Sequence, residues 1–468
     1  MSTYKILPLN FKQLDDGKVV ISNLTNTYST LPSIDVLEDI FIKHNCTEKL
    51  LLTELEQKLF ISSIDDFESK AQLTSAAFSK RINKDLKSPR LIMIVPTLRC
   101  DHHCSYCQVS RVNSDLSGFD LSLTSIPALI NFIKSIETPP YKIEMQGGEP
   151  LLAFDFIKEF YKQFAQSVGE KNFTLVIATS LSLIDDSIID WCRGRDVNFS
   201  TSIDAGMRAH NKHRKLITKN SFQLVKDSIS RIKTELGEGK IGTVTTVTRD
   251  GLDGYDELVD THLELGIYGL FVRPVSSYGF AQEKQAKDIS ISEFMVFYKQ
   301  LINRVIEENL AGKAIVEYFL LVHYKRIMNA SGSSYVDLMA PAGYLKNSVL
   351  IDYNGNVFGS DEARMVYRKC NSNQLVIGNI ENFDFDLSYS KELLNKSFNF
   401  DIPGCSDCVY QGSCGSDPIY HLQEFGEPVG DKSFSRFCEL HKSIFDFIFE
   451  LIQTPKNKKV LDGWLLNE

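Results

Sequence analysis

The chain has 468 residues, of which 43% are hydrophobic, and its 51 basic and 60 acidic side chains give a net charge of −9 at pH 7. This length exceeds one ordinary core and predicts two or three domains. The acidic balance argues against general nucleic-acid binding, which needs clustered lysine and arginine. The sequence has no apolar run of about 18 residues, so no membrane span is predicted. The N-terminus lacks a signal-peptide pattern, and we expect a cytoplasmic protein.

Residues 1–88 are predicted to form a small N-terminal α+β module. The predicted elements are strands at 4–11 and 19–22, a turn at 15–17, and helices at 34–44 and 47–59. A hairpin followed by short helices is typical of a winged-helix-like module that docks a peptide. It is equally compatible with a packing extension of the main domain.

Residues 89–312 alternate between predicted strands and helices. The strands are at 91–95, 142–145, 173–178, 197–203, 242–247 and 270–275, and the clearest helices are at 124–135, 154–166, 222–236 and 292–309. Six consecutive units predict a parallel sheet with helices outside it, either a partial barrel or an open sheet. In both folds the site lies at the C-terminal ends of the strands.

Residues 313–468 have a different pattern and are predicted to form a third domain. The predicted elements are a helix at 314–329, a β-hairpin at 348–358 with Asn354-Gly355 at its turn, and an apolar helix at 445–452. The residues from 454 onward are expected to form a tail packed by Leu461, Trp464 and Leu465.

Seven of the ten cysteines fall in two clusters with short gaps. In a reducing compartment such clusters indicate metal ligands rather than disulfides. The other three, Cys46, Cys192 and Cys370, are predicted to be packing residues, because free cysteine behaves as a small hydrophobe.

The first cluster is Cys100, Cys104 and Cys107, in the pattern C-x3-C-x2-C. A structural zinc site or a ferredoxin cluster normally has four protein ligands. Three thiolates can instead hold three irons of a cubane and leave the fourth iron open to a small chelating molecule. His102 and His103, inside the loop, are expected to pack or form hydrogen bonds rather than bind metal.

Several polar motifs follow the predicted strands at the same end as the first cysteines. In Gly147-Gly148-Glu149-Pro150, the glycines permit a close backbone approach and Glu149 can pair with an ammonium group. Thr179 and Ser180, and the pair Ser202 and Asp204, end predicted strands and are suited to hydroxyl or carboxylate groups of a ligand. Their alternative roles are an ordinary turn, a capped loop or a surface ion pair.

The second cluster is Cys405, Cys408, Cys414 and Cys438. Four thiolates can hold zinc or a [4Fe–4S] cluster, and the spacing alone favours zinc.

Taken together, the cysteine loop and the Gly-Gly-Glu-Pro motif resemble the radical S-adenosylmethionine (SAM) enzymes. The resemblance implies a partial (β/α)6 barrel, a [4Fe–4S] cluster on Cys100, Cys104 and Cys107, and SAM chelating the open iron. Reduction by an external electron donor would cleave SAM to a 5′-deoxyadenosyl radical that abstracts hydrogen from the substrate.

The same resemblance implies roles for the remaining site residues. Tyr106 would lie beside the adenine of SAM, although simple loop packing also explains it, and Glu149 would meet the methionine amino group. Arg214 would pair with the SAM carboxylate.

The C-terminal region resembles the SPASM extension of peptide-modifying members. Gly355 matches that pattern, but Ser360 and Pro418 stand where cysteines would fall. The ligands of a first auxiliary cluster are therefore missing. The resemblance implies one closed auxiliary [4Fe–4S] cluster on Cys405, Cys408, Cys414 and Cys438, for electron transfer or stiffening of the fold. The predicted fold class is thus α/β, a radical SAM partial barrel with an N-terminal α+β module and a SPASM-like extension.

Strings at 7–18, 354–364 and 414–418 resemble the His-Xaa-Ser system radical SAM maturase family. This resemblance implies a maturase that acts beside a second radical SAM protein. Its substrate would be a ribosomally made peptide or protein that carries His-Xaa-Ser repeats. One alternative is sulfatase-maturase-like oxidation of a protein Cys or Ser, against which the missing first auxiliary cluster argues. Another is a metal-stabilised binding protein without turnover, against which the intact Cys100, Cys104, Cys107 and Glu149 argue. The motifs name no general acid or base.

Overall fold

The computed structural model describes residues 4–85, 90–216, 220–281, 288–328, 338–370 and 373–466. Within these ranges, no helix is both long enough and apolar enough to cross a membrane.

The secondary structure elements are numbered here in chain order. Residues 4–85 contain β1 (Tyr4–Ile6), β2 (Leu9–Gln13), β3 (Val19–Asn23), β4 (Tyr28–Leu31), α1 (Ile34–Phe41), α2 (Lys49–Gln57), β5 (Ile61–Ser63) and α3 (Phe67–Asp85). Residues 90–327 contain β6 (Leu91–Thr97), β7 (Arg99–Cys100), β8 (His103–Cys104), β9 (Val112–Asn113), α4 (Ile126–Ile136), β10 (Tyr141–Gly147), α5 (Phe154–Val168), β11 (Phe173–Ala178), α6 (Asp186–Cys192), β12 (Val197–Ser202), α7 (Met207–His213), β13 (Arg214–Lys215), α8 (Ser221–Leu236), β14 (Ile241–Val247), α9 (Tyr255–Glu264), β15 (Gly269–Leu270), β16 (Val272–Pro274), α10 (Ile291–Leu310), β17 (Val316–Glu317) and α11 (Tyr318–Ile327). Residues 348–466 contain β18 (Ser348–Ile351), β19 (Asn356–Phe358), α12 (Asp361–Cys370), β20 (Gly378–Asn379), β21 (Asp384–Phe385), α13 (Ser388–Asn395), α14 (Pro418–Phe425), α15 (Arg436–Leu451) and α16 (Pro455–Leu466).

The chain packs as two compact units, each built from separate stretches of sequence. One comprises Pro89–Phe319 and Tyr344–Glu392, and the other comprises Met1–Ser88, Leu320–Gly343 and Leu393–Glu468. The division into domains 1–88, 89–312 and 313–468 stays a prediction about separable modules.

The first unit is built on a ten-stranded sheet in the order β16-β14-β12-β11-β10-β6-β18-β19-β20-β21. Each of the six predicted strands has a counterpart, and β6, β10, β11, β12, β14 and β16 pair in parallel. Their alternate side chains are buried by amphipathic helices; α5, for example, buries Phe156, Ile157 and Phe160. The predicted α/β fold with a partial (β/α)6 arrangement is confirmed.

The predicted hairpin at 348–358 is also present, as β18 and β19 in antiparallel pairing. Gly355 has φ +80°, as the Asn-Gly turn requires. β18 in addition pairs in parallel with β6, so the hairpin extends the core sheet of the first unit. The sequence did not indicate this pairing.

The second unit contains the N-terminal module and the second cysteine cluster. Its N-terminal part is the three-stranded sheet β2-β3-β4, which packs with β1, α1 and α2 around Ile21, Leu37 and Phe60. The predicted hairpin is confirmed by β2 and β3. The single strand predicted at 4–11 is wrong: the structure has two strands, β1 and β2, separated at Pro8, and β1 pairs with β5. Pro8 interrupts the strand because it has no N–H to donate.

The C-terminal tail differs from the prediction, whereas the described isolated cysteines agree with it. The expected C-terminal tail is the helix α16, which buries Leu461 and Trp464. Cys192 is buried and Cys46 packs against the N-terminal core, as expected of packing residues. The side chain of Cys370 and the end of the helix predicted at 314–329 lie outside the described residues.

Candidate functional site

A cavity of about 280 Å³ lies at the C-terminal ends of the parallel strands. Eleven of the predicted site residues line it: Cys100, Cys104, Tyr106, Cys107, Gly147, Gly148, Glu149, Thr179, Ser180, Ser202 and Arg214. Pro150 and Asp204 do not line it. Motifs far apart in sequence thus meet at one edge of the sheet, as parallel strands require.

Short strands fix the first cysteine loop. β8 pairs antiparallel with β13, which places Arg214 opposite Cys104. The Nδ1 of His102 is 2.9 Å from Asp101 Oδ1, and its Nε2 is 3.1 Å from the hydroxyl of Ser221. Both ring nitrogens of His102 are therefore committed to hydrogen bonds, as expected for a residue that holds the loop.

Burial and neighbouring charges shift the pKa values of the thiols Cys100 and Cys104. Burial and the neighbouring Cys107 raise the pKa of Cys104 to about 11, against the lowering effect of Arg214. Burial and the charge of Glu149 also raise the pKa of Cys100. Without a bound metal Cys100 and Cys104 hold their protons, so binding of a cluster must release them.

The donor set fits an iron–sulfur cluster, because soft thiolates facing one cavity are the ligands that iron–sulfur clusters use. With the side chains oriented as they are in this structure, however, no three or more His, Cys, Asp or Glu residues within the described ranges are arranged so that they could hold a metal ion.

The two glycines of the second motif permit a close approach to the strand that precedes the cysteines. A Cβ at Gly148 would lie 2.2 Å from the carbonyl oxygen of Arg99, and one at Gly147 would lie 2.6 Å from that of Thr97. Gly147 also has φ +126°. The Glu149 N–H donates to Arg99 O at 2.8 Å, which ties the motif to the base of the cysteine loop.

The carboxylate of Glu149 accepts several hydrogen bonds at the cavity. Its buried carboxylate accepts from Thr179 Oγ1 at 2.6 Å, from Ser180 Oγ at 2.7 Å and from Ser180 N at 2.8 Å. Burial raises the pKa of Glu149, and these donors oppose the rise. Thr179 and Ser180, predicted as ligand-binding groups, here fix the carboxylate that can meet an ammonium group.

Tyr106, Asp204 and Arg214 form a second polar group at the cavity. The Tyr106 hydroxyl donates to Asp204 Oδ2 at 2.5 Å and accepts from Arg214 Nη1 at 3.2 Å. Burial raises the pKa of Asp204, and Arg214 lowers it. Asp204 thus lies behind Tyr106 as its partner, while Arg214 keeps a place in the cavity wall.

The cavity residues that were not singled out from the sequence include Glu144 and Arg273. Burial raises the pKa of Glu144 to about 7, and the charge of Asp361 adds to this. Within the described ranges the Glu144 carboxyl has no hydrogen-bond or ion-pair partner, and neither has the buried Nε of Arg273. Alternation along β10 was the available clue, since Glu144 and Gln146 share the face opposite Ile143 and Met145.

Residues 94–262 match the Radical SAM superfamily. The chain is a radical SAM enzyme. An uncharacterized protein of Methanocaldococcus jannaschii is 23% identical over 215 residues, which are 46% of this chain and 70% of that protein.

Two solved structures resemble this radical SAM enzyme over most of its length. anSMEcpe with bound AdoMet has a TM-score of 0.63 and 16% identity, over 80% of this chain and 100% of that one. SuiB of Streptococcus suis bound to precursor peptide SuiA has a TM-score of 0.52 and 14% identity, over 93% of this chain and 100% of that one. At these identities the likeness shows the fold. The narrower resemblance to the His-Xaa-Ser family stays a prediction.

The second unit of the radical SAM enzyme brings the other four predicted ligands together. Cys405, Cys408, Cys414 and Cys438 line one small cavity, accompanied by Lys432 and Lys442. Burial raises the pKa of Cys405 to about 11; Lys432 lowers it, and Cys438 and Cys408 raise it. Four thiols beside two cationic side chains fit a negatively charged thiolate cluster, and the donor set alone suits iron–sulfur or zinc.

Proposed function

We propose that this radical SAM enzyme modifies a ribosomally made peptide or protein by hydrogen abstraction. One observation carries the proposal: the three-cysteine loop and the hydrogen-bonded Glu149 face the same cavity. Peptide chemistry is supported by two proteins of like fold, SuiB bound to precursor peptide SuiA and anSMEcpe bound to the Kp18Cys peptide.

The cavity residues have distinct tasks in this proposal. Cys100, Cys104 and Cys107 would hold a [4Fe–4S] cluster. When bound, the reduced cluster and SAM supply a 5′-deoxyadenosyl radical that takes a hydrogen atom from the substrate.

The charged residues would orient SAM. Glu149, fixed by Thr179 and Ser180, binds the methionine ammonium, and Arg214 binds the SAM carboxylate. Tyr106 holds Arg214 through its hydroxyl and covers one side of the cavity, while Ser202 supplies a hydroxyl at a strand end. Pro150 is the first residue of the short 3₁₀ helix Pro150–Ala153 and fixes the direction in which the chain leaves the motif.

Five finer assignments belong to the same proposal. Cys405, Cys408, Cys414 and Cys438 hold one auxiliary [4Fe–4S] cluster. The substrate has His-Xaa-Ser repeats, and a second radical SAM protein and an external electron donor take part. The enzyme works in the cytoplasm. The support is the three sequence strings noted above, the four-thiol cavity and the absence of disulfides among the described cysteines.

Sulfatase-maturase-like oxidation is a second candidate, favoured by the likeness of fold to anSMEcpe. Ser360 argues against it. It stands at a cysteine position of the full extension, and its buried hydroxyl accepts from the Ala363 N–H at the start of α12. That position serves a helix terminus here rather than a metal.

Coexpression tests the proposed reaction. A peptide with His-Xaa-Ser repeats is produced anaerobically with the wild-type chain, with and without the partner enzyme, and analysed by mass spectrometry. We expect a mass change that depends on Cys104 and is retained in Cys192→Ala, which alters a buried cysteine outside the site. An unchanged peptide in every arm, together with conversion of a Cys or Ser in a sulfatase peptide, would favour the second candidate.

A further inference from the structure

The loop that bears three of the four auxiliary-site cysteines has no regular secondary structure. Residues 405–414 run between α13 and α14 as a series of turns, with Cys408 N bonded to Cys405 O and Cys414 N bonded to Tyr410 O. Such turns leave most backbone carbonyls of the loop without a partner in the loop itself. Their partners come from elsewhere in the same unit.

Side chains of the N-terminal strands supply the partners at residues 406–409, while Asn399 donates to Gln411 O and Cys414 O farther along the loop. The Asn10 amide donates to Ser406 O at 2.9 Å and to Cys408 O at 3.1 Å. The Ser22 hydroxyl donates to Val409 O at 2.5 Å. Residues nearly 400 positions apart in sequence are thus joined at the cysteines.

The end of the loop is held in the same way. The Tyr28 hydroxyl donates to Ser413 Oγ at 2.9 Å, and Ser413 Oγ donates to Asn26 Oδ1 at 3.1 Å. The backbone fits closely here, because a Cβ at Gly412 would lie 2.2 Å from Asn26 Oδ1. Asn26 and Ser413 are both buried.

The module also reaches the helix that carries the fourth cysteine. Lys12 Nζ is 2.5 Å from Asp446 Oδ2, and the Tyr410 hydroxyl donates to Asp446 Oδ1 at 2.6 Å. Asp446 and Cys438 both lie on α15. The strands β2, β3 and β4 therefore contact both chain segments that must meet around the four thiols.

We propose that Asn10, Ser22 and Asn26 are positioning residues that hold the four cysteines in the geometry of the auxiliary cluster. The proposal rests on the auxiliary cluster of the proposed function. It gives the N-terminal module a task at the metal site, separate from the peptide docking considered from the sequence. Hydrogen bonds to the backbone beside thiolate ligands fix ligand direction and set cluster properties.

The test isolates the auxiliary site. In a background with Cys100, Cys104 and Cys107 all changed to Ala, reconstituted iron reports the four-cysteine site alone, at about four irons per chain. Asn10→Ala, Ser22→Ala and Asn26→Ala are compared with this background and with Thr30→Ala, an exposed residue on β4 of the same sheet. Iron content, chelator competition, the EPR signal and the midpoint potential are measured, and circular dichroism checks folding.

We expect each positioning variant to lower the apparent iron affinity by about tenfold or more, the loss typical of outer-shell partners, and to shift the EPR signal or potential. Thr30→Ala should match the background. Folded variants with unchanged iron, EPR signal and potential would overturn the proposal. If Asn26→Ala fails to fold, the half-buried Asn10 still decides the matter through Asn10→Ala. A background that binds no iron would overturn the auxiliary cluster itself, and the positioning role with it.

Discussion

At the residue scale, the site depends on how firmly Glu149 is held. A buried carboxylate with three strong donors keeps a fixed direction, which an ammonium ligand requires. The motif predicted Glu149 from sequence, but that Thr179 and Ser180, directly after β11, donate to it became visible only in the fold.

Thr179→Val removes one of those donors without changing side-chain size. Leaving part of a buried carboxylate unpaired costs about 1–3 kcal/mol. We therefore expect SAM to bind the reconstituted enzyme about tenfold more weakly, as measured by equilibrium dialysis. Thr174→Val is the control, because Thr174 lies on β11, the strand that ends just before Thr179, and its hydroxyl donates to Asp196 at an exposed position. SAM binding equal to wild type in Thr179→Val would refute the role of this contact.

Glu144 leads to a prediction about pH. Its folded pKa of about 7 exceeds the ordinary value of 4.5, so the folded state binds more protons between these pH values. Wild-type stability should fall relative to Glu144→Gln as pH rises from 4.5 to 7, by about 2–3 kcal/mol, and then level off. Urea unfolding of the metal-free protein at a series of pH values measures this. A pH-independent difference would show that the carboxyl is not buried as described; Glu307→Gln, at an exposed position on α10, serves as control.

At the element scale, the strands of the partial barrel were predictable because short apolar sequence runs typical of strands alternate with amphipathic helical patterns. The partners of the short N-terminal strands were not. Alternation over residues 4–11 gives no sign that β1 pairs with β5 while β2 pairs with β3. The helix α16 was missed because its lysines and asparagine masked the spacing of Val460, Leu461 and Trp464.

The close contact between the Gly-Gly-Glu-Pro turn and β7 predicts that a larger residue at Gly148 lowers stability. In Gly148→Ala, the new Cβ meets the backbone of Leu98 and Arg99, which is not the movable end of a side chain. The clash should cost about 1–3 kcal/mol of unfolding free energy and displace the first cysteine loop. We expect lower stability in urea and loss of roughly half of the bound iron. Gly463→Ala, in open space on α16, should retain both; equal behaviour of the two variants would contradict the account.

At the scale of the whole molecule, local sequence patterns predicted which motifs share a sheet edge, but they did not indicate which distant stretches of chain pack together. The cysteine spacing and strand ends predicted eleven of the residues that line the cavity, since parallel strands bring their carboxyl ends together. Each compact unit, however, is assembled from separate stretches of chain, such as β18 added beside β6. The bonds from Asn10 and Ser22 to residues 406–409 are likewise invisible to any window along the sequence.

The central claim is that Cys100, Cys104 and Cys107 support radical cleavage of SAM. The most direct measurement is 5′-deoxyadenosine formed by the anaerobically reconstituted chain with dithionite and SAM. We predict that wild type and Cys192→Ala both form 5′-deoxyadenosine, and that Cys104→Ala forms none. Equal amounts from wild type and Cys104→Ala, or none from either, would contradict the account.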